Sequence, residues 1–104
     1  MKVFDYTEYK TSSHAVKRMC ERVGNIYPYE AEQKILELVK TGEILLDVGD
    51  HRYIRNGDLF FPCTKWKGIG EHVYRVKSVL KWDMVNYRIQ RVVDNYTERE
   101  PAYL

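Results

Sequence analysis

The chain of 104 residues contains only two cysteines, Cys20 and Cys63. They lie far apart, form no CxxC pair and have no metal-ligand spacing around them, so we expect reduced structural thiols. The three histidines, His14, His51 and His72, form no HxH or HxxxH pattern. The sequence therefore predicts neither a disulfide framework nor a metal site, and we expect no cofactor.

The sequence also lacks long hydrophobic runs and repeats. No stretch approaches the ~20 apolar residues that a membrane-spanning helix needs, and the opening MKVFDYTEYK does not resemble a signal peptide. We expect a single cytoplasmic domain over residues 1–104, without membrane contact. The net charge of +2 is nearly balanced, so any contact with nucleic acid must depend on local clusters of basic residues.

Two segments in the first half have the period of an amphipathic helix. The first begins at the N-cap pair Ser12-Ser13 and ends at Gly24-Asn25, because both of these residue types tolerate positive φ. The second begins near Pro28, which suits a first helical turn, and ends near Gly42, which suits the left-handed C′ position. These segments predict an αα-hairpin.

After the second helix the hydrophobic period changes from 3.6 to 2. Gly49-Asp50 and Asn56-Gly57 indicate tight turns between antiparallel strands. Ile44, Leu46 and Val48 are expected to share one face of the first strand. Pro62 predicts that the third strand lies at an edge or ends early.

The remaining segments complete the expected fold. Residues 1–11 predict an N-terminal arm or a short edge strand, and His72 to Leu80 one long strand. Residues 83–96 favour a helix over a strand, and residues 97–104 a loose tail. The predicted fold class is α+β, with two N-terminal helices packed on a four-stranded antiparallel sheet and a C-terminal helix.

One string on the first helix is distinctive. His14, Arg18 and Arg22 are spaced i, i+4 and i+8, so they form a row along the helix. One imidazole and two guanidinium groups can contact a phosphate. The alternative is a solvated helix face in which Glu21 pairs with Lys17 or Arg18.

This string carries a resemblance to a known group of proteins. His14, Ala15, Arg18, Met19 and Arg22, followed by Thr41-Gly42-Glu43 and by Val76-Lys77-Ser78-Val79-Leu80, resemble a family of short bacterial and phage proteins related to RelE-like and BrnT-like toxins. The resemblance covers about residues 12–82, the toxin-like core. Several members of that group are ribonucleases that cut messenger RNA without a metal, and the resemblance implies the same class of activity here.

Such a ribonuclease uses the 2′-hydroxyl of RNA as its nucleophile. The reaction needs a base, an acid and cations that stabilise the charged phosphorane. His14 or His51 can serve as base or acid, and aromatic rings can stack on RNA bases. The residues assigned to catalysis are His14, Arg18, His51 and Lys77, and those assigned to RNA binding are Arg22, Tyr53, Lys65, Lys67, Tyr74 and Arg75.

A second hypothesis is a non-catalytic binding protein of the same fold, of a phage type or an adaptor. It would contact a host protein, nucleic acid or a second copy of itself, whereas a toxin would have an antitoxin as its partner. The chain's nine tyrosines are of a type common in protein interfaces. The first hypothesis predicts that His14, Arg18, Arg22 and Lys77 converge on one concave basic site. The second predicts that these residues are scattered or paired with acidic residues, beside an exposed tyrosine patch.

Overall fold

The computed structural model describes residues 7–66, 72–85 and the single residue 91. The elements run in the order β1 (Glu8–Thr11), α1 (Ser13–Val23), α2 (Pro28–Thr41), β2 (Glu43–Val48), β3 (His51–Asn56), β4 (Leu59–Lys65), β5 (Val73–Val76), β6 (Leu80–Lys81) and a 3₁₀ helix (Trp82–Met84). The class is therefore α+β.

The two helices begin and end where their capping residues predict. Ser12 caps α1, and its hydroxyl accepts a hydrogen bond of 3.0 Å from the Ala15 N–H. Gly24 and Asn25 have φ values of 76° and 49° and end α1, whereas Pro28 is the first residue of α2. The predicted αα-hairpin is confirmed.

Gly42 ends α2 for a different reason from the one predicted. Its φ of −80° and ψ of 173° are extended, so no left-handed conformation requires glycine here. A Cβ at this position would lie 2.7 Å from the Ile54 Cγ2 and 2.9 Å from the Leu38 carbonyl oxygen. The residue is small because α2 passes closely over β3.

The prediction of a four-stranded antiparallel sheet is wrong. The sheet has six strands and is mixed, in the order β1-β5-β4-β3-β2, with β6 also paired to β4. The predicted N-terminal arm contributes β1, which pairs parallel to β5 from Glu8 opposite Val73 to Thr11 opposite Val76. This pairing joins residues more than sixty positions apart, and local periodicity carries no signal for it.

The predicted long strand from His72 to Leu80 is interrupted. β5 ends at Val76 and β6 begins at Leu80, and both pair with β4. Between Val76 and Leu80 the chain advances four positions while β4 advances three, from Cys63 to Phe60. The extra residue makes this a bulge-like irregularity in the strand.

Pro62 lies inside the central strand β4, so the prediction of an edge or an early end is wrong. Its carbonyl accepts a hydrogen bond of 2.8 Å from the Lys77 N–H. In an extended strand the N and O atoms of one residue point to the same side, so the missing proline N–H faces the irregular segment between β5 and β6. Proline is tolerated because a regular ladder does not need its donor there.

The other strands follow the predicted turns, with one register shift. β2 and β3 are joined through Gly49 and pair antiparallel, with a bulge between Ile44 and Leu46. The bulge reverses the alternation, so Ile44 pairs with Ile54 whereas Leu46 pairs with Tyr53 on the other face. The prediction that Ile44 and Leu46 share a face is therefore wrong.

The predicted C-terminal helix does not begin at residue 83. Trp82–Met84 form one 3₁₀ turn, and Val85 is extended with φ −68° and ψ 130°. The rest of the predicted helix and the predicted tail lie outside the described residues, apart from residue 91.

The helices cover one face of the sheet and form the core with it. The buried cluster consists of Tyr9, Ala15, Met19, Ala31, Ile35, Val39, Ile54, Phe61, Cys63, Tyr74, Val76 and Val79. Side chains alternate along each strand, so Ile54, Phe61 and Val76 point to the helices. Their neighbours in the chain point to the opposite side, which we call the second face. No helix in the described part of the chain is long and apolar enough to cross a membrane.

Candidate nucleic-acid interface

The strand register brings basic side chains together in one row on the second face. Thr64 of β4 is paired with His51 of β3 on one side and with Arg75 of β5 on the other. Arg75 is paired in turn with Lys10 of β1. Directly opposed residues have Cβ atoms about 5 Å apart, so one row across four strands carries two cations and an imidazole.

A cavity of about 240 Å³ opens in the middle of this row, at Thr64 and Arg75, and five residues line it. They combine cationic, aromatic and hydroxyl groups, and they are Thr64, Lys65, Trp66, Arg75 and Lys77. The guanidinium carbon of Arg75 lies 5.4 Å from the centre of the Trp66 ring, a cation–π contact. Positive charge beside a half-buried aromatic ring suits the binding of single-stranded nucleic acid.

Two further features of the cavity bear on its chemistry. The Thr64 hydroxyl is buried and has no hydrogen-bond partner among the described residues. Such unsatisfied polar atoms are rare in proteins. In addition, the irregular segment after β5 fixes Lys77 at the cavity, because its N–H donates to Pro62 and its carbonyl accepts a bond of 3.1 Å from the Ser12 hydroxyl. The cap of α1 and the position of Lys77 are therefore coupled.

The basic residues of α1 do not belong to this cavity. None of His14, Arg18 and Arg22, which form the helix row, lines it. Arg18 instead donates a bond of 2.6 Å to Glu21, and this bond lowers the pKa of the Glu21 carboxyl. Arg22 is half-buried, and its Nε has no hydrogen-bond partner in the described part of the chain.

Tyr53 and Tyr74, both predicted to stack on bases, lie on opposite faces of the sheet. Tyr53 is half-buried on the second face, with its ring centre 5.4 Å from that of Phe60. Tyr74 is 4% exposed and faces the helices, where Arg52 lies 4.4 Å over its ring. Burial, together with the negative charge of Asp47, raises the pKa of Tyr74. Tyr74 therefore cannot stack on a base, whereas Tyr53 lies on the second face, two residues after His51 on β3.

Of the sequence-predicted residues, the structure thus groups Lys65, Arg75 and Lys77 in the cavity and His51 in the adjoining row. Lys67 lies outside the described residues. Neither Thr64 nor Trp66 was among the residues that the sequence assigned to the site. The sequence signal for Trp66 was its place between two lysines in TKWK, whereas only the register could have pointed to Thr64.

No acidic or thiol cluster suited to a metal ion occurs among residues 7–66, 72–85 and 91. Both cysteines are free, with Cys20 half-buried and Cys63 buried. Burial raises the pKa of the Cys63 thiol to about 12, so this thiol stays protonated and unreactive at neutral pH.

Comparison of the chain with protein-family models, with curated proteins and with solved structures finds no match. The resemblance to RelE-like and BrnT-like toxins therefore remains a prediction from the sequence. The functional argument below depends on the geometry of the second face.

Proposed function

We propose that the chain binds single-stranded RNA on the second face of its sheet. Arg75 and Lys77 each contact a backbone phosphate, and the Trp66 ring stacks on a base. One observation carries the proposal: the register aligns His51, Thr64 and Arg75 in a single row, and Thr64 and Arg75 line a cavity together with Lys65, Trp66 and Lys77. Phosphate contacts by Lys and Arg supply most of the affinity in such sites, and base stacking supplies the rest.

Binding of a fluorescently labelled single-stranded RNA, followed by anisotropy, tests the proposal. The double variant Arg75→Gln/Lys77→Gln removes two cavity cations. We expect it to bind at least ~10-fold more weakly, because fewer phosphate contacts form and fewer counterions are released from the RNA on binding. The charge-matched control is Lys34→Gln/Lys40→Gln on the exposed side of α2, which should change the affinity by less than about 2-fold. Equal weakening by both variants, or no binding by the wild type, would refute the proposal.

The salt dependence gives an independent readout. In the proposed complex Arg75 and Lys77 make one phosphate contact each, and each such contact with a single strand contributes about −0.7 to the slope of log affinity against log salt. We therefore expect a slope of about −1.4 for the wild type and of about 0 for the double variant.

A second candidate function is the metal-independent, RelE-like ribonuclease that the resemblance implies. The observation in its favour is that His51 and Arg75 both pair with Thr64, so that only β4 lies between them. An imidazole next to a bound phosphate can take the proton of the 2′-hydroxyl or donate one to the leaving oxygen. His14 lies on α1, whereas His51 pairs with a residue that lines the cavity, so this version of the mechanism assigns the proton transfer to His51.

Cleavage of a labelled RNA in the presence of a chelator tests this second function. The expected products carry 2′,3′-cyclic phosphate ends, and an otherwise identical strand made of DNA should stay intact. His51→Gln should reduce the rate by at least ~100-fold, whereas His72→Gln, which changes an exposed histidine just before β5, should leave it unchanged. RNA binding without cleavage would contradict the ribonuclease function and would leave RNA binding as the proposed function.

We also propose that the protein is cytoplasmic and that it has an antitoxin or a host protein as a further partner. Two unpaired thiols support a reducing compartment. Tyr27 and Tyr29 are 75% and 74% exposed, which supports a protein contact at the start of α2.

A further inference from the structure

A groove along the outer side of α1 is apolar and lies away from the cationic cavity. Its volume is about 560 Å³, and its lining consists of Ser13, Val16, Lys17, Cys20, Glu21 and Pro28. Val16 and Cys20 pack partly against the core and form its apolar floor. The groove follows α1 and closes against the first residue of α2, so an element that docks there lies along the helix.

Large apolar and aromatic side chains project beside this groove. Val23 at the end of α1 is 51% exposed, and Tyr27 and Tyr29, on either side of Pro28, are exposed by about three quarters. Monomeric proteins rarely leave several such side chains uncovered in one area. The same surface therefore offers both a groove and side chains able to fill one.

The charges at the groove are self-complementary. Lys17 and Glu21 both line it and lie one helical turn apart. When two copies of α1 run antiparallel about a two-fold axis, Lys17 of each copy faces Glu21 of the other. Arg18 already bonds the Oε2 of Glu21, which leaves the second carboxylate oxygen to accept a bond from the other copy.

We propose that the occupant of the groove is a second copy of this chain, with the two α1 helices antiparallel. An interface with two-fold symmetry uses the same patch twice, so this patch must contain grooves, projecting side chains and both signs of charge. The α1 groove and its surroundings meet all three requirements. This inference does not depend on RNA binding, because the cationic cavity shares no residue with the groove.

Sedimentation velocity over a range of protein concentrations tests the dimer. The wild type should associate reversibly as its concentration rises. Lys17→Glu places a carboxylate opposite Glu21 of the partner copy, and Glu21→Lys places two ammonium groups together, so each single change should shift the protein to monomer. The charge swap Lys17→Glu/Glu21→Lys restores opposite charges and should restore the dimer.

Lys34→Glu on α2 makes the same charge change outside the groove and should leave the association unchanged, and circular dichroism verifies that every variant is folded. A wild type that stays monomeric at all concentrations would overturn the proposal and assign the groove to a different protein. A dimer that tolerates both single changes would overturn it equally, because the contact must then lie elsewhere.

Discussion

At the scale of single residues, the surroundings of each arginine decide its role. Arg52 donates hydrogen bonds of 2.9 Å to Asp47 and 2.8 Å to the Tyr9 hydroxyl, and it lies over the ring of Tyr74. Burial lowers the pKa of Arg52, but the bonds to Asp47 and Tyr9 outweigh it and the net shift is upward. Arg52 is a structural cation, whereas Arg75 reaches the cavity with its charge available to a ligand.

Cys63 makes the stability of the protein sensitive to alkaline pH. Its pKa rises from 9.0 to about 12 on folding, so the unfolded thiol ionises at a pH at which the folded thiol cannot. The stability that Cys63 contributes is complete below pH 9 and is lost as the pH rises toward 12. Between about pH 9 and pH 11 we expect the wild type to lose about 2 kcal/mol more of its free energy of unfolding than Cys63→Val loses.

Urea unfolding at a series of pH values measures this difference. Cys20→Ser is the matched control, because Cys20 is only half-buried, and it should retain the alkaline loss of the wild type. Identical pH profiles for the wild type and Cys63→Val would contradict the assignment. Tyr74 shifts in the same direction but is present in all three proteins, so its contribution cancels.

At the scale of elements, the start of α1 and the irregular segment after β5 form one unit. The Ser12 hydroxyl accepts from the Ala15 N–H and donates to the Lys77 carbonyl. In addition, the Ser12 N–H donates a bond of 3.1 Å to the Val76 carbonyl. This one buried serine therefore caps the helix and ties it to the end of β5 and to the segment after it, which together carry Arg75 and Lys77.

Ser12→Ala should remove the cap and the contact with Lys77 together. We expect a loss of about 1–2 kcal/mol in the free energy of unfolding. Ser13→Ala is the control, because Ser13 is the exposed first residue of the helix and should change stability by less than about 0.5 kcal/mol. Chemical denaturation of both variants measures the difference, and equal effects would show that Ser12 is not the cap.

The elements that local chemistry defines were predictable from the sequence. Capping residues and apolar stripes predicted α1 and α2, and Gly49 and Gly57, with φ values of 59° and 61°, mark the two hairpin turns. The parallel pairing of β1 with β5 was not predictable, because it depends on contacts distant in the chain. Nor was the interruption after Val76, because it depends on how this segment pairs with β4, and local periodicity carries no signal for that pairing.

The candidate site was predictable only as a set of residue types. The sequence singled out His51, Lys65, Arg75 and Lys77, but it could not tell which strand faces meet, since that depends on strand order and register. The structure brings these residues together through β4, which lies between β3 and β5. It leaves the helix row, the most distinctive motif of the sequence, outside the cavity.

At the scale of the whole molecule, a nearly balanced net charge conceals an uneven distribution. The chain carries 17 basic and 15 acidic residues, yet the cavity on the second face is lined by three cations and no carboxylate among its described residues. Such local concentration steers an anionic ligand to one place even when the total charge is small. The proposed dimer would carry two such cavities and bind a longer RNA more tightly through both.

The central claim, that RNA binds on the second face and not along α1, can be tested by one measurement. A titration of isotope-labelled protein with a short single-stranded RNA, followed by amide NMR, reports which residues sense the ligand. We expect the largest shifts at the amides of residues 64–66 and 75–77 and at the Trp66 indole N–H. Shifts concentrated on residues 14–22 of α1, with the Trp66 signal unmoved, would contradict the account.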